Sequence, residues 1–463
     1  MTEPQLSLAV NGREYQLQSR LVPFELPGRQ RGTGGNGGNG HRAVCPQAVA
    51  VVGLGYVGLP TALGLHGRWQ RIIGIDISGE RLAAIAARRA DLADVDRPRL
   101  AAALADGSLE LTSEPAAAAA ADTVIICVPT PVDDAREPDL TALRGACESV
   151  VRYARPGQTI ILTSTTYVGT TNDLLTEPLR ARGLRAGQDV FVAFSPERID
   201  PGNPDHVQRE TPRVVGGVTP GCATRAARVI ATVTDHVYLV SSPGAAEATK
   251  LYENVFRAVS LALANEFADA CGVLGLDPIE VTLAAGTKPY GFLGAFPGPG
   301  VGGHCIPCDP HYLLWQLGGQ GRPAPLIEQA MRSIDRRPER VAERAGEVLA
   351  AGGRPGLAGA RVMVVGAAYK AGVKDLRESP ALSLMASLAS QGAEVAYYDP
   401  LVPRLTLPDG QTLTSVTAPS GDDHDIAVIH TLHPGVNYAW LADFPSVLDA
   451  TYQLDSLPNH TVV

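Results

Sequence analysis

The chain has 463 residues, of which 45% are hydrophobic and 19% charged, and its formal net charge is −9 at pH 7. This length is enough for about three domains with buried cores, and the acidic balance argues against a general nucleic-acid-binding surface. No apolar run approaches the ~20 residues of a membrane span, the N-terminus lacks the apolar core of a secretory signal, and 7 cysteines spread along the chain do not fit a disulfide framework. We therefore expect a cytoplasmic protein that binds neither membranes nor nucleic acid.

Residues 1–45 precede the first predicted domain. Leu6, Leu8 and Val10 alternate along a stretch that ends at Asn11-Gly12, a dipeptide typical of the two-residue turn of a β-hairpin. The glycine-rich run at 31–40 has the composition of a flexible linker. We predict a small hairpin here and assign this segment no catalytic role.

A dinucleotide-binding pattern follows. The apolar run at 48–52 ends in Gly53-Leu54-Gly55-Tyr56-Val57-Gly58, a stretch compatible with a helix comes next, and a second apolar run at 72–77 carries Asp76. The glycines permit a tight turn and close approach of a pyrophosphate, which would face a helix N-terminus. A carboxylate about 20 residues on accepts hydrogen bonds from the adenosine ribose and repels a 2′-phosphate, so the pattern favours NAD over NADP.

Three further β-type runs, at 123–128, 159–162 and 190–194, each end in a polar or turn sequence. These sequences are Pro129-Thr130-Pro131, Ser164-Thr165-Thr166 and Ser195-Pro196-Glu197-Arg198. In a doubly wound sheet, ligands bind beyond the carboxyl ends of the strands, so the three tips are predicted to line the nicotinamide side of the cleft. For any single tip, an ordinary hydroxyl-rich turn is an equally good interpretation.

The clearest predicted helix begins near Ser242, a typical N-cap, with Pro243 at its first position. No glycine or proline occurs from 245 to 271, and Gly272 and Gly275 indicate its end. Lys250, Asn254 and Arg257 follow at spacings of four and three and share one helix face. That face is either solvated or suited to a sugar or phosphate ligand.

The segment 297–309 is crowded with glycine and proline in its first half and then carries Cys305 and Asp309. A backbone so poor in side chains can lie against a ligand, and cysteine suits a reaction that needs a nucleophile able to bind substrate covalently. The other interpretation is a turn with a buried structural cysteine. Cys308 completes a Cys-x-x-Cys spacing, which permits a local disulfide, although a small buried side chain is the simpler interpretation.

A second α/β region follows, with strands predicted at 361–365, 394–398 and 426–430. In place of the glycine fingerprint stands Gly366-Ala367-Ala368-Tyr369-Lys370. This region is more typical of a mononucleotide half-site than of a second dinucleotide site. Lys370, Lys374 and Arg377 are candidates to bind phosphates where its first strand ends.

Taken together, these segments resemble the UDP-sugar 6-dehydrogenase family, which includes UDP-glucose and UDP-N-acetylhexosamine dehydrogenases. The likeness covers about 48–448 and rests on motifs in a fixed order: GLGYVG, CVPTP, STT–GTT, SPERIDPGN, AEATKLYEN, GPGVGGHCIPCDP and YKAGVKDLRESPAL. SPERIDPGN and the TKPYGF before the cysteine loop are similar to the N-acetylhexosamine branch.

The resemblance implies an α/β fold with an N-terminal Rossmann NAD domain, a central long-helix dimerisation domain and a C-terminal Rossmann-like UDP-binding domain. We accordingly divide the chain into 1–45, 46–240, 241–322 and 323–463. The implied activity is a four-electron oxidation of the C6 hydroxyl of a UDP-sugar to a carboxylate, with two NAD, in a homodimer or larger homo-oligomer and without a metal.

The resemblance also implies residue roles. Cys305 would be the nucleophile, Lys250 the general acid/base, and Asp309 a base that orients water, while Glu197 and Thr165 would assist thioester hydrolysis. The positions that match substrate contacts are Arg198, Ile199, Lys250, Asn254, Arg257, Gly302, Tyr369, Lys370 and Arg377. Those that match the cofactor site are Gly53, Gly55, Tyr56, Val57, Gly58, Asp76, Arg81, Thr130 and Thr165.

Several positions depart from the family pattern, and one of them is Ala371, where a Pro after Lys370 is common. Thr163 stands where close relatives often have Glu, and Thr451 stands where they often have an Arg that contacts substrate. Affinity or sugar preference is therefore open, whereas every residue that the chemistry needs is present. The alternatives are a UDP-glucose 6-dehydrogenase, a two-electron NAD hydroxyacid dehydrogenase, and a non-catalytic NAD-bound protein, which would be expected to lack Cys305 or Lys250.

Overall fold

The structure is a computed structural model that describes residues 48–92, 94–133, 135–198, 208–454, 457 and 459–463, and the backbone of three short strands before residue 48. It forms two compact units, Met1–Leu251 and Tyr252–Val463. The finer division into four segments stays a prediction. Among the residues that the structure describes, no helix is long and apolar enough to cross a membrane.

The first unit contains one large sheet and a separate two-stranded sheet formed by its first two strands. Its strands are β1 (Ser7–Val10), β2 (Arg13–Gln16), β3 (Leu21–Val22), β4 (Ala48–Val52), β5 (Arg71–Ile75), β6 (Leu109–Thr112), β7 (Thr123–Ile126), β8 (Thr159–Leu162), β9 (Phe191–Phe194), β10 (Arg213–Gly217) and β11 (Val237–Val240). Its helices are α1 (Gly58–Leu65), α2 (Gly79–Ala86), α3 (Arg97–Ala105), α4 (Thr141–Tyr153), α5 (Glu177–Ala181) and α6 (Pro220–Ile230). A 9-stranded sheet has the order β3-β11-β10-β9-β8-β7-β4-β5-β6.

The centre of this sheet is parallel and buried. Strands β4, β5, β7 and β8 pair in parallel, and their residues are buried along almost their whole length, as expected where helices cover both faces. From β4 the chain proceeds to β5 and β6 on one side and then to β7, β8 and β9 on the other. The strand order therefore reverses beside β4, which is where ligands bind in such sheets.

The N-terminal extension contributes strands of its own. β1 and β2 pair antiparallel with Val10 opposite Arg13, which confirms the predicted hairpin. The short strand β3 pairs antiparallel with β11, with Leu21 opposite Tyr238, and so lies at the edge of the large sheet. The sequence did not predict this edge strand.

The long helix α7 (Pro243–Leu274) begins in the first unit and ends in the second. Ser242 accepts a hydrogen bond from the amide of Ala245, as expected of an N-cap. Gly272 lies inside the helix rather than ending it, and Gly275 follows with a φ of 71°. The expectation that Gly272 marks the stop is therefore wrong, because a single glycine costs a helix only about 1 kcal/mol.

The second unit combines helices with a smaller parallel sheet. Its other helices are α8 (Pro278–Gly286), α9 (Asp309–Gly319), α10 (Pro325–Ala351) and α11 (Pro380–Ser390). Its strands are β12 (Arg361–Val365), β13 (Glu394–Tyr398), β14 (Arg404–Thr406), β15 (Thr412–Thr414), β16 (Ile426–Ile429), β17 (Val447–Asp449) and β18 (His460–Val462). Five of them form an all-parallel sheet in the order β13-β12-β16-β17-β18, while β14 and β15 form a hairpin.

The two sheets begin with the same local arrangement. Gly53 follows β4 with a φ of 86° and donates its amide to Ile75 O at 2.8 Å. Gly366 follows β12 with a φ of 87° and donates its amide to Tyr398 O at the same 2.8 Å. The second unit thus keeps the first glycine of a Rossmann turn, although the rest of the fingerprint is replaced.

Candidate active site

The glycine-rich turn of the first unit has room for a ligand on one side only. A Cβ added to Gly58 would lie 1.7 Å from Gly53 O, so the start of α1 packs directly on the turn. Around Gly55, by contrast, no described atom lies within 4 Å of an added Cβ. Tyr56 and Val57 are exposed beside it. The turn therefore has the closed and open sides that a bound pyrophosphate requires.

Asp76 and Arg81 both contact the middle of this turn. Asp76 Oδ2 accepts a hydrogen bond from Leu54 N at 2.7 Å, and its Oδ1 accepts one from Ser78 N at 2.9 Å. Arg81 Nε donates to Leu54 O at 2.8 Å. Asp76 is half-buried at the end of β5, so its carboxylate is held in place with part of its surface open. This is the position from which a carboxylate binds a ribose.

The tips of the next two strands are joined to each other. Ser164 Oγ, after β8, donates to Val128 O, after β7, at 2.7 Å. Thr130 is buried and Thr165 is half-buried beside these contacts. Thr163 is buried as well.

Glu197 is held in a buried ion pair. Arg213 Nη1 donates to Glu197 Oε2 at 2.7 Å, and the amide of Arg198 donates to Oε1 at 2.8 Å. Arg213 also donates to Ser195 O, so it fixes the whole turn after β9. Sequence analysis missed Arg213, whose only signal is a charged residue at the start of a buried strand. Ile199, a predicted substrate contact, lies outside the described residues.

The charge of Glu197 also affects a cysteine. Burial, together with the Glu197 carboxylate, raises the pKa of Cys127 to about 12. Cys127 is therefore a thiol at neutral pH and is unsuited to act as a nucleophile.

Helix α7 is anchored near its start by Glu247. Its carboxylate accepts hydrogen bonds from the amides of Gly169 and Thr171 at 2.6 and 2.9 Å and from the Thr171 hydroxyl at 2.6 Å. Lys250 follows almost one turn later and is buried. Glu247 is a second residue that sequence analysis missed, because its partners lie more than 70 residues away along the chain.

In the second unit, three predicted residues meet at the start of α9. Asn254 Nδ2 donates to Asp309 Oδ2 at 2.5 Å, and Asp309 N donates to Cys305 O at 2.8 Å. Cys305 is exposed, while Asp309 is buried. Arg257, almost one helical turn beyond Asn254, lies exposed on α7. The structure therefore places an exposed cysteine one turn before a buried carboxylate whose orientation is fixed by an amide.

The glycines before Cys305 pack against the loop that follows β12. A Cβ at Gly302 would lie 2.6 Å from Tyr369 Cβ, and Gly303 N donates to Arg377 O at 3.0 Å. Burial and the nearby Arg377 charge lower the pKa of His304, so that imidazole is neutral at neutral pH. The cysteine loop and the predicted phosphate-binding loop are thus one continuous surface of the second unit.

Cys308 and Thr451 are both buried and both hydrogen-bonded within the second unit. Cys308 is a buried thiol whose amide donates to Cys305 O at 3.3 Å. Thr451 is buried, and its hydroxyl donates to Asp449 Oδ1 at 2.6 Å. Among the described residues, no group of three or more His, Cys, Asp or Glu side chains is arranged to hold a metal ion.

Models of the UDP-glucose/GDP-mannose dehydrogenase family match three successive parts of the chain. The NAD-binding domain matches 47–234, the central domain 244–335 and the UDP-binding domain 363–456. The chain belongs to this family. It is an NAD-dependent nucleotide-sugar dehydrogenase with the three-domain α/β architecture of the UDP-glucose/GDP-mannose dehydrogenases.

Several related proteins are similar to this chain over most of their length. An NDP-N-acetyl-D-galactosaminuronic acid dehydrogenase of Ralstonia solanacearum is 34% identical over 74% of this chain and 81% of its own length. A UDP-N-acetyl-D-glucosamine 6-dehydrogenase of Pseudomonas aeruginosa is 33% identical over 83% of this chain and 90% of its own. The solved structure of a UDP-D-ManNAc dehydrogenase from Pyrococcus horikoshii is 31% identical, with a TM-score of 0.81, and covers 90% of this chain and 98% of that one.

Proposed function

We propose that the chain is a UDP-N-acetylhexosamine 6-dehydrogenase, which oxidises the sugar C6 hydroxyl to a carboxylate through a thioester on Cys305. The observation that carries this proposal is that Cys305 is exposed just before α9, in a turn whose backbone is bonded to Asp309 N and whose preceding glycines pack on the loop after β12. The family members described above, named for N-acetylated sugars, support the sugar class.

The chemistry needs two oxidations of one carbon atom. The C6 hydroxyl loses a proton, with Lys250 as the proposed base, and C6 loses a hydride to give an aldehyde. An aldehyde has no hydroxyl from which a second hydride loss can start. The Cys305 thiolate adds to it and gives a thiohemiacetal, which loses the second hydride to become a thioester. Bound NAD supplies the hydride acceptor for each oxidation.

Water then completes the reaction. Attack of water on the thioester releases the carboxylate and returns Cys305, so one alcohol, two NAD⁺ and one water give one carboxylate, two NADH and three protons. Asp309 is proposed to orient this water, because the Asn254 amide fixes its carboxylate. Glu197, whose ionised form is held by Arg213, and Thr165 are proposed to assist the same step.

Substrate recognition is proposed to involve cations and backbone of the second unit. Lys370 and Arg377 are the proposed cations for a diphosphate, and the Arg377 guanidinium is held by Asp375 at 2.6 Å. Tyr369 and Gly302 form the contact between that loop and the loop of Cys305. The further proposed contacts with the sugar nucleotide are Asn254 and Arg257 on α7 and Arg198 and Ile199 after β9.

The cytoplasmic location stays a prediction.

The exposed apolar face of α7 supports a homodimer. Four apolar residues follow one another at helical spacing along this face, and each is between 43% and 70% exposed: Tyr252, Phe256, Leu263 and Phe267. A row of four exposed apolar side chains on one helix face is typical of an interaction surface. We propose a second copy of this chain as its partner, because the resemblance implies dimers packed through this helix. Sedimentation of the wild type and Leu263→Glu tests this, and a monomeric wild type would contradict it.

The substrate class is tested by NADH formation against UDP-N-acetylglucosamine, UDP-N-acetylmannosamine, UDP-N-acetylgalactosamine and UDP-glucose. We expect the highest kcat/KM with one of the N-acetylated sugars. A preference for UDP-glucose would instead make the chain a UDP-glucose 6-dehydrogenase with the same chemistry.

A further inference from the structure

Asp399 is a carboxylate buried at the end of β13 with both oxygens engaged. Its Oδ2 accepts hydrogen bonds from the amides of Ala367 at 2.7 Å and Ala368 at 3.1 Å. Its Oδ1 accepts hydrogen bonds from two amides of the chain just after β13, at 2.8 and 3.1 Å. Asp399 is therefore fixed against the first residues of the loop that follows β12.

Asp76 occupies the position in the first unit that Asp399 occupies in the second, but its carboxylate is less enclosed. Asp76 follows β5 as Asp399 follows β13, and each accepts a hydrogen bond from the residue after the first glycine, Leu54 or Ala367, at 2.7 Å. Asp76 is half-buried and accepts one described hydrogen bond on each oxygen, whereas Asp399 is only 1% exposed. Asp399 has no surface left for a ribose. It serves the protein rather than a dinucleotide.

His433 joins Asp399 to the tip of the loop. Gly372 N donates to His433 Nδ1 at 3.0 Å, so the ring proton is on Nε2, which lies 3.1 Å from Asp399 Oδ2 and donates to it. Burial alone would raise the pKa of Asp399, but the hydrogen bonds from His433 and the two amides lower it to about 2. The carboxylate is therefore an anion that accepts from Nε2 and fixes the orientation of the His433 ring.

The loop fixed in this way carries the proposed phosphate contacts. Residues 366–379 connect β12 to α11, and Tyr369 N donates to Asp375 O at 3.0 Å, which closes the segment that contains Lys370. Gly372 lies near the middle of this closed segment and is exposed. The hydrogen bond from the Gly372 amide to the buried His433 ring therefore connects an exposed loop tip to the interior of the unit.

We infer that His433, oriented by Asp399, is a positioning residue that holds the Gly372 amide and thereby presents the 369–375 segment to the diphosphate of the substrate. The inference rests on the proposed binding of a UDP-sugar by this loop. His433 does not contact the reacting atoms. A loop fixed before binding loses less conformational entropy when the ligand arrives, so the consequence of His433 is substrate affinity rather than the rate of chemistry.

Two substitutions separate the two hydrogen bonds of the ring. In His433→Asn the amide oxygen replaces the Nδ1 acceptor and no atom reaches the Nε2 position. In His433→Gln the longer side chain places a donor near the Nε2 position and leaves Gly372 N without its acceptor. Calorimetry with UDP should show affinity close to wild type for His433→Asn and about tenfold weaker for His433→Gln.

Kinetics provide a readout that a loss of folding would not reproduce. For His433→Gln we expect KM for the UDP-sugar to rise about tenfold, with kcat and KM for NAD close to wild type. His424→Gln is the matched control, because the ring of that half-buried histidine in the same unit has a local hydrogen-bond partner, Ser420 O at 2.9 Å. Wild-type UDP affinity in His433→Gln, or equal weakening in both His433 variants, would overturn the inference.

Amide hydrogen exchange of the unmodified protein tests the same contact without a variant. We expect the Gly372 amide to be protected although the residue is exposed, and rapid exchange at Gly372 would overturn the inference. If the wild type binds UDP and His433→Gln binds it equally well, only the role of His433 fails. If the wild type does not bind UDP, the proposed function fails and this inference with it.

Discussion

The thiol of Cys305 is the atom on which the proposed chemistry depends, and it is the exposed member of a pair of cysteines at the start of α9. Replacing it by serine leaves a hydroxyl that is a far poorer nucleophile at neutral pH. For Cys305→Ser we expect UDP-sugar affinity close to wild type by calorimetry and uronate formation reduced at least about a thousandfold by mass spectrometry. Cys271→Ser, at a buried cysteine of helix α7, is the control. Normal uronate formation by Cys305→Ser would remove Cys305 from the mechanism.

Asp76 is expected to decide the choice of cofactor. Its carboxylate is fixed by Leu54 N and Ser78 N, and a fixed negative charge at the ribose repels the 2′-phosphate of NADP. We expect Asp76→Asn to raise kcat/KM for NADP about tenfold relative to that for NAD. Asp106→Asn, at a surface carboxylate paired with His66, should leave the ratio unchanged. Equal efficiency of the wild-type protein with both cofactors would show that Asp76 does not bind the ribose.

Cys308 gives Cys305 a neighbour that can form a disulfide. The amide of Cys308 donates to Cys305 O, and a turn closed in this way brings the two Cα atoms into disulfide range. Peroxide would oxidise the Cys305 thiolate to a sulfenic acid, and the Cys308 thiol would then displace water and form the disulfide. We expect the wild type to recover activity fully with dithiothreitol and Cys308→Val to be oxidised irreversibly. Identical recovery in both proteins would mean that Cys308 only packs.

Sequence patterns identify candidate site residues more readily than the distant residues that hold them in place. Cys305, Asp309 and Asp76 stand in local motifs whose spacing identifies them. Arg213 and His433 stand in no such motif, and they matter because the fold brings Glu197 and Gly372 to them. A buried ion pair or hydrogen bond between distant residues is a property of tertiary structure, so one sequence contains no local signal for it.

At the scale of single elements, local signals predicted the helix that carries Lys250 but not its anchor. Ser242 and Pro243 lie next to the helix start that they determine. Strand β3 was missed for the opposite reason, since it is 2 residues long and its partner β11 is distant in sequence. Elements defined by a pairing partner rather than by their own pattern are not visible in the sequence.

The anchor of α7 is a buried carboxylate, and its removal should destabilise the protein. Glu247 accepts hydrogen bonds from the Gly169 amide and from the amide and hydroxyl of Thr171, and the buried Thr171 groups would be left without this acceptor in Glu247→Ala. We expect this variant to lose about 2–4 kcal/mol of unfolding free energy in urea denaturation. Glu266→Ala, at an exposed position of the same helix, should change it by less than about 0.5 kcal/mol. Equal stability of the two variants would contradict the anchoring role.

At the scale of the whole molecule, two units built on the same strand, glycine and aspartate have diverged in what the aspartate binds. Asp76 is left partly open, while Asp399 is enclosed by amides and His433. The α/β class and the order of the NAD-binding, central and UDP-binding domains followed from the sequence, because each domain begins with a recognisable motif. The different uses of the two aspartates did not follow from it, because each is decided by burial.

The number of NADH molecules formed per UDP-sugar tests the four-electron mechanism most directly. A two-electron dehydrogenase has no use for a nucleophilic thiol, whereas addition of Cys305 to the aldehyde links the second oxidation to the first. With limiting UDP-N-acetylhexosamine and excess NAD, the end-point absorbance should correspond to about two NADH for each sugar nucleotide consumed. A ratio near one, with the aldehyde as product, would contradict the mechanism.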